Sequence, residues 1–238
     1  MKITLVKRIK MSFREFQRAV FLIAQKDLMI EFRRPYEILS ILTFSGGSIL
    51  IAGLALKGSS TVIPETMAAV LWIIIFFITI LTFTTSFTRE TDRGTLGGLK
   101  TLPCSPVAIL AGKIIYGTTL VFLAIWVLIP CSIIFLNIQI GERFPLLILI
   151  CFLGAAGFSF AGSFVSGLVM FSEGKTLLLS LLLIPVCMPV ILLSVITTGK
   201  IFREASLFDI LPELRLLLAF LLLITAIMIL TFTFVLEE

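Results

Sequence analysis

Apolar residues run in long, nearly unbroken blocks along this 238-residue chain, and the charges are gathered into the gaps between them. A helix needs about 20 mostly apolar residues to cross a hydrocarbon core roughly 30 Å thick. Six blocks reach that length, at about 38–56, 67–87, 107–136, 145–171, 176–197 and 212–236. The third and fourth are longer than a perpendicular crossing requires, which predicts tilt or, in the third, a break near Pro130. Ahead of the first block the period changes. Phe13, Phe16, Val20, Ile23, Ala24 and Leu28 fall on one helical face, while Arg14, Arg18, Gln25 and Lys26 lie elsewhere. An apolar stripe with basic flanks predicts an amphipathic helix in the membrane interface, anchored on anionic headgroups; an elbow that packs on a partner subunit is compatible with the same pattern. The pattern therefore predicts an all-α integral membrane protein, with an interfacial amphipathic segment over 1–37 and a six-helix transmembrane domain over 38–238.

Composition agrees and removes alternatives. Hydrophobic residues make up 59% of the chain and charged ones 14%, and the mean hydropathy is +1.17, outside the range of soluble domains. Nothing in the composition marks a second, soluble domain. The opening "MKITLVKRIKMSFREF" is basic but broken by charges every few residues, so no cleaved secretory signal is expected. Cys104, Cys131, Cys151 and Cys187 form no C-x-x-C pair, and all but Cys104 lie in apolar runs, so they read as small buried hydrophobes and no metal site is expected.

Lysine and arginine set the orientation. With six crossings, fourteen of the 19 basic residues fall on one side, in the N-terminal segment, in 88–113 and at Lys175, and five fall on the other. Both termini are accordingly expected in the cytoplasm of a multi-pass inner-membrane protein. The basic surplus is explained by the bilayer, and no nucleic-acid partner is expected.

Four connecting or intramembrane stretches stand out. The small residues of "FLGAAGFSFAGSFVSG", Gly157 with Ala161 and Gly162 with Ser166, recur four apart and allow close helix approach, within the chain or between two copies. Pro185 and Pro189 remove two backbone donors from one face of the fifth block, which predicts a kink, either a gating hinge or a simple shape feature. Residues 198–211 mix Phe202, Leu207, Phe208 and Ile210 with Arg203, Glu204 and Asp209, the pattern of a short amphipathic helix at the outer surface.

The fourth stretch, over 88–106, is "RETDRGTLGGLKTLPCSP" at its core. After a break at Gly94, Thr95, Leu96, Leu99 and Leu102 recur at helical spacing, and Pro103 closes the series. Arg89, Glu90, Asp92 and Arg93 sit at its start. A short, half-apolar helix on the cytoplasmic surface has the shape of a knob for a groove in a soluble partner; an ordinary charged loop on headgroups would not need the ordered leucines.

The pattern from Glu90 to Pro103, followed by Lys113, resembles the cytoplasmic coupling segment of type-2 ABC transporter permeases. Joined to "FLGAAGFSFAG" and "SEGKTLLLSLLLIPVCMPVILLS", it resembles more closely the haem exporter protein B family, the B subunit of the cytochrome c-maturation haem ABC transporter, from about residue 30 to 200. The resemblance implies a type-2 ABC permease-like fold, a six-span subunit that pairs with a second copy, and haem-handling membrane subunits as neighbours. It also implies that ATP is bound and hydrolysed by a separate cytoplasmic ATPase. "FSEGKT" at 171–176 lacks the first glycine of a phosphate-binding loop, in keeping with this.

The expected activity is thus ATP-driven haem export or delivery, with haem as possible cargo and no cofactor bound directly. With no histidine in the chain, haem contact would fall to Met, Tyr, Cys or apolar packing, which favours release of a haem-carrying partner over passage of haem itself. A type-2 exporter for a drug, lipid or glycan is the alternative. A membrane-embedded enzyme ranks below both, because the apolar blocks carry essentially no ionisable residues.

Overall fold

The computed structural model describes residues 12–56, 63–92, 105–136, 141–169, 172 and 174–235. Seven α-helices account for nearly all of them, and no strand occurs among the described residues: α1 (Phe13–Phe32), α2 (Pro35–Leu56), α3 (Pro64–Asp92), α4 (Pro106–Leu136), α5 (Phe144–Val169), α6 (Lys175–Phe202) and α7 (Leu207–Val235). A 3₁₀ turn, Gly141–Arg143, leads into α5. From α2 to α7 each helix holds a stretch long and apolar enough to span a bilayer, so the chain is an all-α, multi-pass membrane protein.

Local chemistry fixes the helix starts. The Ser12 amide donates to Glu15 Oε2 at 2.8 Å, one half of a capping box. Three spanning helices begin on a proline, Pro35, Pro64 and Pro106, where the missing N–H costs nothing and the fixed φ suits the first turn. Ser105 caps α4 by accepting from the Ala108 amide at 3.2 Å. Gly174, at φ +69°, turns the chain into α6.

Some boundaries differ from the sequence expectation. The helix α4 is unbroken through Pro130, where the sequence allows a break; Pro185 and Pro189 lie inside α6. The carbonyls freed by such prolines are tolerated where neighbouring groups re-satisfy them. The segment 198–211 holds no separate short helix. Instead α6 continues to Phe202 and α7 starts at Leu207, with only 203–206 between them.

Packing centres on α5, which lies against α4, α6 and α7, while α3 fills the space between α4 and α6. Phe76, Phe158 and Trp72 stack in its middle, with ring centroids 5.9 and 6.2 Å apart. Glycines let the aromatic rings in. A methyl on Gly154 would overlap the Trp72 indole, and one on Gly162 would lie 2.5 Å from Phe83 Cδ2. Gly157 faces Val190, and Ala161 and Ser166 are buried. These four small positions on α5 therefore serve packing inside the chain, the closeness on which helix association in lipid depends. By contrast, α2 and α7 are mostly unburied along their spans.

Candidate functional site

Opposed helix directions place the end of α3, the start of α4 and the end of α5 at one end of the bundle. Phe83 shows it directly: its ring lies between Gly117 of α4, whose methyl would sit 2.5 Å from Cζ, and Gly162 of α5. The helix α1 lies at the same end. Its apolar stripe turns toward the protein, with Val20 and Ala24 buried. The surface it covers belongs to α4: a methyl on Gly112 would lie 2.8 Å from Ile23 Cβ and 3.1 Å from the Val20 carbonyl oxygen.

Two acids share that buried face. Asp27 and Glu31, one turn apart, are 8% and 1% exposed, and they meet Lys113 and Tyr116 of α4, which are 5% and 2% exposed. Lys113 Nζ stands 3.7 Å from Asp27 Oδ2, and Lys26 Nζ, on the solvent side, is 2.9 Å from Asp27 Oδ1. The Tyr116 hydroxyl donates to Glu31 Oε2 at 2.9 Å. Ionisable groups at such depth are costly unless paired, so this cluster fixes where α1 sits on α4. Sequence reasoning missed it. Lys113 was counted with the 88–113 connection, but it stands two turns inside α4, within a spanning stretch. Its signal was available in the Asp27/Glu31 pair, spaced four apart on the apolar side of α1.

Of the expected coupling residues, Arg89, Glu90 and Asp92 lie on the last turns of α3. Arg93, Gly94, Thr95, Leu96, Leu99, Leu102 and Pro103 lie outside the described residues. Pro185 is exposed and Pro189 half-buried on α6, away from this end.

The opposite end is closed by ion pairs. Arg203 holds Glu65 of α3 in a two-point contact, Nε to Oε1 at 2.6 Å and Nη2 to Oε2 at 2.7 Å. Lys200 Nζ pairs with Glu213 Oε1 at 2.7 Å and donates to the Asp209 carbonyl at 2.6 Å. Just inside, the Trp72 indole N–H donates to Thr198 Oγ1 at 2.9 Å, satisfying a buried donor at membrane depth. These contacts bind α3, α6 and α7 to one another at the end away from the last turns of α3.

Compared with known protein families, residues 18–236 match the family described as CcmB protein. Comparison with curated proteins gives no match.

Proposed function

The chain belongs to the CcmB family, whose members are haem-exporter components in cytochrome c maturation, and from that premise we propose that it is the permease subunit of an ATP-driven complex whose ATPase is a separate cytoplasmic protein. By family it is a membrane transport subunit and not an enzyme. The observation that carries the proposal is the continuation of α3 through Arg89, Glu90 and Asp92. A spanning helix thereby extends past its apolar block and ends at Asp92, at the end of the bundle where α1, α3 and α4 converge, with the Gly94–Pro103 series next in the sequence.

In this account the ATPase docks on 89–103, with Leu96, Leu99 and Leu102 as the apolar ridge and Arg89, Glu90, Asp92 and Arg93 as its polar flank. In this reading that end, α1 and both termini face the cytoplasm of an inner-membrane protein, an orientation that the basic bias supports. Two copies and two ATPase subunits form the core, alongside haem-handling membrane subunits. ATP-driven closure of the ATPase pair pushes on the ends of α3 and α4, and the Phe83 contact with Gly117 and Gly162 passes the push to α5. Either haem crosses or a haem-carrying partner is released on the far side; the histidine-free sequence favours release.

Leu96→Asp or Leu99→Asp is expected to abolish co-purification of the ATPase while the chain still inserts in the membrane, because a charge on an apolar ridge forfeits its burial in a groove. Undiminished capture of the ATPase by both variants contradicts the docking site.

A further inference from the structure

We propose that α1 and the first four turns of α4 form one rigid unit, fastened by Asp27–Lys113 and Glu31–Tyr116 over the Gly112 contact, and that this unit carries motion from the α3–α4 connection along the membrane surface. The second half of this statement rests on the reading that an ATPase acts at that connection; the first half stands on the geometry alone.

A helix that merely floats on headgroups keeps its acids in water. Here Asp27 and Glu31 are buried, and both face α4. Gly112 brings the two helices together at backbone level, with the Val20 carbonyl 3.1 Å from the place a methyl would take. Covalent neighbourhood would favour α2 as the support of α1, yet α1 packs chiefly on α4 and only lightly on α2. If α4 shifted without α1, the Lys113–Asp27 and Tyr116–Glu31 contacts would be parted beneath the surface, a cost that holds the two helices together. The first turns of α4 follow directly from the α3–α4 connection, so displacement there reaches α1 before it reaches the aromatic centre of the bundle. Interfaces packed this closely move as bodies and do not deform continuously. Lys113 and Tyr116 are on this account positioning residues for α1.

The test uses the full chain bound to its ATPase, with the four native cysteines replaced by alanine. Spin labels go on exposed sites at Gln25 of α1, Thr119 of α4 and Leu177 of α6. Pulsed electron-electron distances are measured without nucleotide and with ATP trapped. The Gln25–Thr119 distance is expected to stay fixed and narrow while Gln25–Leu177 shifts. In the chain alone, Lys113→Met is expected to broaden Gln25–Thr119, and the pair Asp27→Leu with Lys113→Met to narrow it again, because apolar partners refill the contact. A Gln25–Thr119 distance that changes with nucleotide overturns the rigid unit, as does a Lys113→Met distribution as narrow as that of the parent chain. If the variants behave as expected but no distance answers to nucleotide in an ATPase-bound complex, the coupling reading fails and takes the transmission with it, leaving the fastening intact.

Discussion

Lys113→Met is expected to lower the unfolding free energy by about 1–3 kcal/mol, because a buried carboxylate oxygen loses its facing cation while Lys26 still pairs with the other oxygen. Asp27 cannot recover by turning to solvent, since its side chain is only 8% exposed and its Oδ2 faces the vacated position. Lys26 holds the other oxygen and relieves part of the loss. The second substitution separates charge from packing: Asp27→Leu added to Lys113→Met should restore most of the stability, since well-packed apolar replacements of buried ion pairs are often neutral. Unfolding in mixed detergent micelles, followed by circular dichroism, gives both values. A loss below about 1 kcal/mol for Lys113→Met is what an exposed pair would show, and it would mean that the lysine reaches water.

Gly162→Ala is expected to cost about 1–3 kcal/mol, the usual range for overpacking a filled core. The added methyl would lie 2.5 Å from both Phe83 Cδ2 and Cε2. The ring has no free direction, because Gly117 takes its far edge and Phe83 is 1% exposed. Phe83→Leu in the same chain should return part of the loss by vacating that edge. Gly47→Ala on α2 is the internal control. Nothing lies within 4 Å of its position, so only helix propensity acts, and alanine should be neutral or stabilising by up to about 1 kcal/mol. Equal losses at Gly162 and Gly47 would contradict the close contact between α3 and α5.

The spanning helices were legible in the sequence because burial in lipid demands long apolar blocks, a signal that needs no tertiary information. Their starts at Pro35, Pro64 and Pro106 lie ahead of the expected 38, 67 and 107, because a proline suits the first helical position and lets the helix begin outside the apolar block. The stripe on α1 was also placed on the correct face, but its partner was not: a helical wheel shows that Val20 and Ala24 are to be covered and cannot say whether lipid or α4 covers them. Asp27, Glu31, Lys113 and Tyr116 were passed over because each reads singly as a solvated charge or an interface residue, and only their meeting across 85 residues makes them a cluster. At 198–211 the charges suggested a surface helix. In the structure those charges pair off, Arg203 with Glu65 and Lys200 with Glu213, and this lets two spanning helices extend into the segment. The small residues of α5 left two uses open, and Trp72 and Phe83 decide for packing within the chain.

The central claim is that this chain works as the membrane half of a complex energised elsewhere. Purification of the tagged full chain in mild detergent, with identification of everything it retains and an absorbance scan for haem, tests it most directly. The account predicts a stoichiometric ATPase subunit together with haem-handling membrane proteins, and no Soret band on this chain by itself. A chain that purifies alone from membranes in which that ATPase is present would contradict it.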